Sequence, residues 1–118
     1  MKIAHVTVFT KCMEASVAFY EKMAGLKIRR DMRGTEHPVV FLGPEEGETC
    51  IELVESRDAA YCGSGLLIGF AVADAEKEWQ EKEKAGLCPG PMVTPNPHAK
   101  FFTVKDPNGV EIQFLQED

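Results

Sequence analysis

Three side chains stand out as able to do chemistry: His5, Glu52 and Gln113. Each is polar and sits inside a strand-like run where alternation turns it away from its apolar neighbours. His5 interrupts KIAHVTVFT (residues 2–10), in which Ala4, Val6 and Val8 share one face and Ile3, His5, Thr7 and Phe9 the other. Glu52 lies between Ile51 and Leu53, and Gln113 between Ile112 and Phe114. A carboxylate on an inward face costs several kcal/mol unless it is paired, hydrogen-bonded or protonated, so Glu52 points to a wet or occupied cleft. It is the candidate general base for an acidic C–H. The plainer reading is a satisfied His5–Glu52 pair on adjacent strands, with Gln113 as a cleft-lining amide.

These positions are related by an internal repeat. At an offset of 61 residues, EHPVVFLGPEEGETCIELVE (36–55) falls on PHAKFFTVKDPNGVEIQFLQ (97–116), so that Glu52 meets Gln113. With one residue of slippage IAHVTV (3–8) falls near LIGFAV (67–72), which aligns His5 with Leu67. Two copies of so long a unit describe a duplicated supersecondary element rather than a solenoid. Each copy must supply a scaffold for its polar residue. The first reads as a strand over 2–10, a helix from about Met13 to Ala24 closed by Gly25, and strands over 26–32, 38–43 and 49–55. Residues 56–65, small and Gly-containing, read as a connector. The second reads as a strand over 65–73, a helix over 76–85 with Asp74 as N-cap and Trp79 as its core anchor, and strands over 100–105 and 109–116 joined by Asp106-Pro107-Asn108-Gly109. The proline-rich 87–97 predicts a weak edge strand or an irregular loop. The fold class expected is α+β, with two tandem βαβββ modules, about 1–56 and 65–118 around a linker 57–64, forming a single domain. If their sheets curl toward each other, His5, Glu52, Leu67 and Gln113 meet in a cleft.

Composition narrows the partners. Lys and Arg number 13 against 19 Asp and Glu, a net charge of −6 with no basic block, which argues against nucleic acid or an anionic membrane. Cys12, Cys50, Cys62 and Cys88 show no C-x-x-C spacing, no signal-peptide pattern is present, and no apolar run reaches spanning length. Reduced thiols in a cytoplasmic protein are the expectation. Cys12, at the start of the first helix, is a candidate reactive thiol, though an unreactive small residue is the commoner outcome.

HVTVFTKCMEASVAFYEKMAGLKI (5–28), IELVE (51–55) and KDPNGVEIQFLQ (105–116) together resemble the vicinal oxygen chelate superfamily. This family includes glyoxalase I, bleomycin-resistance proteins, extradiol dioxygenases, fosfomycin-resistance proteins and methylmalonyl-CoA epimerase. The resemblance covers nearly the whole chain and implies paired βαβββ modules, a cleft between modules, and a homodimer. In metal-using members, ligands sit on the first and last strand of each module, which here are His5, Glu52, Leu67 and Gln113. Imidazole and carboxylate suit a divalent ion such as Zn, Ni, Mn or Fe. Leucine supplies no lone pair, so the metal set that the resemblance implies reduces to His5, Glu52 and Gln113. The fosfomycin-resistance and dioxygenase activities suffer most from the loss of a histidine at Leu67.

Leu67, with Gly69 and Ala71 beside it, favours an apolar or aromatic occupant instead. The candidate ligand-binding residues are His5, Thr7, Phe9, Cys50, Glu52, Leu67, Gly69 and Gln113, with Phe41, Phe101, Phe102 and Met92 as further wall residues. The function expected is a glyoxalase/bleomycin-resistance-like protein binding a small, partly apolar molecule. The alternatives are a metal-dependent lyase or isomerase of the glyoxalase I type and a non-catalytic interaction protein.

Overall fold

A computed structural model describes residues 1–118, which divide into two units, Met1–Cys62 and Gly63–Asp118. In the first unit, β1 (His5–Thr10), α1 (Met13–Lys22), β2 (Lys27–Asp31), β3 (Val39–Gly43) and β4 (Cys50–Glu55) form a βαβββ module. Its four-stranded sheet has the order β1-β4-β3-β2, with β1 parallel to β4 and the other pairs antiparallel. One face of the sheet is covered by α1. Val8, Val40, Leu42, Ile51 and Leu53 point there and meet Met13, Val17, Phe19 and Tyr20, all nearly or fully buried. Burial of each such side chain stabilises the unit by about 1.5–3 kcal/mol. The alternate residues His5, Thr7, Phe9, Phe41 and Glu52 lie on the opposite, open face and keep partial or full solvent access.

The antiparallel pairing of β2 and β3 is broken by a bulge. Ile28 stands opposite Leu42, but the next pair is Arg30 with Phe41, which leaves Arg29 as the extra residue. Simple alternation would put Arg30 on the helix side with Ile28. The bulge turns it to the open face instead.

The second unit repeats the plan with β5 (Leu67–Ala71), α2 (Ala75–Lys84), β6 (Val93–Asn96), β7 (Ala99–Lys105) and β8 (Glu111–Glu117), in the sheet order β5-β8-β7-β6. Asp74 caps α2 by accepting from the Lys77 amide. The helix ends in a Schellman turn: Leu87 N–H donates to Lys82 O, Gly86 N–H donates to Glu83 O, and Gly86 has φ +80°. The β7–β8 hairpin turns at Asp106, whose buried carboxylate accepts from the amides of Asn108 and Val110. β6 is a four-residue, fully exposed edge strand that includes Pro95.

Two expectations are corrected. Trp79 is only half-buried and donates Nε1–H to Gly90 O, while the buried residues of α2 are Ala75 and Lys82. The Lys82 ammonium lies 4.5 Å above the Phe114 ring and 2.5 Å from Glu78 Oε2, so a paired cation is buried where the indole was expected. Phe102 belongs to the core, stacked on Phe114, and cannot line an open face. The four cysteines are free thiols, and no helix is long and apolar enough to cross a membrane.

Candidate functional site

Strand pairing on the open face of the first sheet lines up Thr7 with Glu52, Glu52 with Phe41, and Phe41 with Arg30. One row across all four strands therefore carries a hydroxyl, a carboxylate, an aromatic ring and a guanidinium. Parallel pairing of β1 with β4 places Thr7 beside Glu52, and its hydroxyl donates to Glu52 Oε1 at 2.5 Å. His5, two residues earlier and on the same face, puts Nε2 3.4 Å from the same oxygen. Glu52 Oε2 has no protein donor. With a side chain 17% exposed against 44% for His5, the carboxylate is partly withdrawn from water but still reachable.

The aromatic neighbours fix this pair laterally. The His5 and Phe41 rings meet edge-on, with centroids 5.7 Å apart and planes at 80°. On the other side of Phe41, the Arg30 guanidinium carbon stands 5.5 Å from the ring centroid. Phe9, level with Val54, adds exposed apolar surface on the same face. Cys50 stands opposite His5, but its thiol turns to Glu48 O and lies against Gly43, where an added Cβ would come within 3.0 Å of Sγ. Arg30 was not singled out by residue type or spacing, because the register shift that turns it to this face leaves no signature in the strand's composition.

The open face of the second sheet is chemically different. Leu67, 48% exposed, stands opposite Glu111, Gly69 opposite Gln113 and Ala71 opposite Leu115. A Cβ at Gly69 would lie only 2.7 Å from Gln113 Oε1, so the glycine is what lets the amide fold down over β5. Thr103 and Phe101 extend the same face through β7. The side chains expected together thus fall into two groups: His5, Thr7, Phe9 and Glu52 on the first sheet, and Leu67, Gly69 and Gln113 on the second.

A resident catalytic metal takes three or four protein donors from rigid elements. The first sheet offers His5 and Glu52, whose Oε1 already accepts the Thr7 proton, and no three His, Cys, Asp or Glu side chains cluster anywhere. Leu67 contributes no donor. The residues present do not fit a tightly held metal. At the start of α1, Cys12 Sγ lies 3.5 Å from Thr10 Oγ1 and 3.7 Å from Ser16 Oγ, so it sits among packed hydroxyls rather than on the open face.

Residues 2–114 match the Glyoxalase/Bleomycin resistance protein/Dioxygenase superfamily. The chain belongs to that superfamily. Within it, the chain is 29% identical to YwbC of Bacillus subtilis strain 168, an uncharacterized protein, over 98% of this chain and 97% of that one. It is 25% identical to a lactoylglutathione lyase of Neisseria meningitidis serogroup A, covering 99% of this chain and 91% of the lyase. Among solved structures, TnmS3, an antibiotic binding protein from Streptomyces sp. CB03234, superposes with a TM-score of 0.76 at 23% identity, over 100% of this chain and 97% of that chain. At that identity the likeness is one of fold. Superfamily membership accounts for the duplicated βαβββ plan.

Proposed function

We propose that this superfamily member binds a small, partly apolar molecule on its open sheet faces, with Glu52 as the polar anchor. The observation that carries the reading is the Glu52 carboxylate. One of its oxygens is fixed by Thr7 and His5, the other is free, and the aromatic surface of Phe41 lies beside it. A free oxygen held in a fixed direction accepts a hydroxyl or amine proton with little ordering cost. Leu67, Gly69 and Gln113 are proposed as ligand contacts of the second sheet. TnmS3, which shares this fold, is an antibiotic binding protein, so the fold is compatible with holding a small molecule in this way.

A thermal-shift screen with small aromatic compounds tests this. A true ligand stabilises by about 2.7 kcal/mol at a hundredfold excess over its Kd, and Glu52→Gln should abolish most of that gain. A flat response across the screen, or full stabilisation of the Glu52→Gln variant, refutes the reading. We also propose a homodimer, because Phe9, Leu66, Leu67 and Val93 expose apolar surface in the single chain, and a cytoplasmic setting, because all four cysteines are free thiols. Sedimentation equilibrium reading a single 13.1 kDa species at micromolar concentration would overturn it.

The lactoylglutathione lyase relatives favour a second reading, a lyase or isomerase with Glu52 as base. Hemithioacetal turnover that Glu52→Gln removes would replace sequestration with catalysis.

A further inference from the structure

Three arginines lie on or just beyond β2, and two are committed to neighbours. Arg29 donates from Nη2 to Pro44 O at 2.9 Å and lies 3.9 Å from Glu45. Arg33 grips Asp31 and Glu14 at 2.5 and 2.9 Å, and its hydrogen bonds hold the Asp31 carboxyl below its ordinary range. Arg30 faces no carboxylate at all; its one polar contact is Nη2 at 3.8 Å from Met32 Sδ. Arg57 and most of the lysines also lack an ion pair, so what sets Arg30 apart is its place, on the open face and over the Phe41 ring. The bulge at Arg29 is what puts it there, in register with Phe41, Glu52 and Thr7.

We infer that Arg30 is the anion-recognising residue of the ligand site, so that the molecule bound carries a carboxylate at one end of a flat apolar body. The inference rests on the open-face binding reading and narrows its ligand class. A guanidinium presents a planar fork that matches a carboxylate with two parallel hydrogen bonds. The cation–π contact with Phe41, 5.5 Å from guanidinium carbon to ring centroid, biases that fork toward the row and lessens the side-chain freedom lost on binding. Adjacent strands run about 4.8 Å apart, and Arg30 on β2 is two strands from Glu52 on β4, which separates the two polar ends by roughly 10 Å. Phe41 lies between them. The row therefore selects a molecule with a carboxylate at Arg30, an aromatic or conjugated middle over Phe41, and a hydroxyl or amine donor at Glu52 Oε2.

Trans-4-hydroxycinnamate and its methyl ester have this length and differ at one end alone, a charged carboxylate against a neutral methyl ester. Their binding to the full chain and to Arg30→Gln and Arg30→Lys, followed by calorimetry and by amide shifts of Arg30, Phe41 and Glu52, tests the assignment. The acid should bind the wild type about tenfold or more tightly than the ester, as expected for loss of a charge-assisted hydrogen bond. Arg30→Gln should erase that preference while leaving the ester's affinity within about twofold, and Arg30→Lys should restore part of it. If acid and ester bind the wild type equally, or Arg30→Gln weakens both alike, Arg30 is a stacking plate only. Anion recognition is then overturned while open-face binding stands. If neither probe shifts those amides, the open-face reading itself fails and this inference falls with it.

Discussion

At the scale of single residues, the chemistry turns on one oxygen. Glu52 Oε1 accepts from Thr7 and faces His5, so the carboxylate cannot rotate freely and Oε2 is offered in a fixed direction. A hydrogen bond to a charged group contributes about 1.5–3 kcal/mol, toward the lower end where water competes, as at this half-buried site. Thr7→Val keeps the shape and removes the donor. It should lower stability by about 1 kcal/mol more than Thr7→Ser, which keeps the hydroxyl. Urea denaturation of the two variants checks this, and equal midpoints would show that the short contact contributes nothing. The pairing of His5 with Glu52 was legible in the sequence, because both residues break the alternation of apolar strands. The contribution of Thr7 beyond lining the face was not, since it depends on the parallel register of β1 with β4, which puts Thr7 and not His5 directly opposite Glu52.

At the scale of elements, the strands and helices follow from alternation, from helical spacing in 13–24, and from Gly25, Gly86 and the Asp106–Gly109 turn, so their order was legible. What alternation misses is an inserted residue. One bulge in β2 reverses the face of every residue beyond it, and Arg30 changes sides without any change in composition. Helix α2 misled for a different reason. Its charged sequence hides a lysine that is 3% exposed, its ammonium over the Phe114 ring and closed by Glu78 one turn earlier. Removing one partner of such a pair leaves a buried charge, whereas replacing the cation with an apolar side chain of similar length does not. Glu78→Ala should therefore cost about 1–3 kcal/mol, reduced from the fully buried case because Glu78 is partly exposed, while Lys82→Met should be near neutral. Thermal unfolding of both variants decides; a Lys82→Met loss equal to or larger than that of Glu78→Ala would show that the ammonium contributes through the Phe114 ring instead.

At the scale of the whole molecule, duplication explains why two units share one plan, and divergence explains why their open faces differ. His5 and Leu67 occupy corresponding places on β1 and β5, and Glu52 and Gln113 on β4 and β8; in each pair the first unit kept an ionisable group and the second did not. In the second unit Gly69 leaves room for the Gln113 amide at the place where Thr7 holds Glu52 in the first. An amide folded over a glycine suits an uncharged contact better than a divalent ion, and the strong donors on the open faces are His5 and Glu52, side by side on the first sheet, and Glu111, opposite Leu67 on the second. Two donors side by side hold a divalent ion weakly, in competition with water and buffer. Protein purified without added metal should thus contain far less than one equivalent of Zn, Ni, Mn or Fe by elemental analysis, and added Zn should raise the unfolding temperature no more in the wild type than in His5→Ala. A stoichiometric metal lost on His5→Ala or Glu52→Gln would reverse the conclusion: the donor set would then be sufficient without any contribution from position 67.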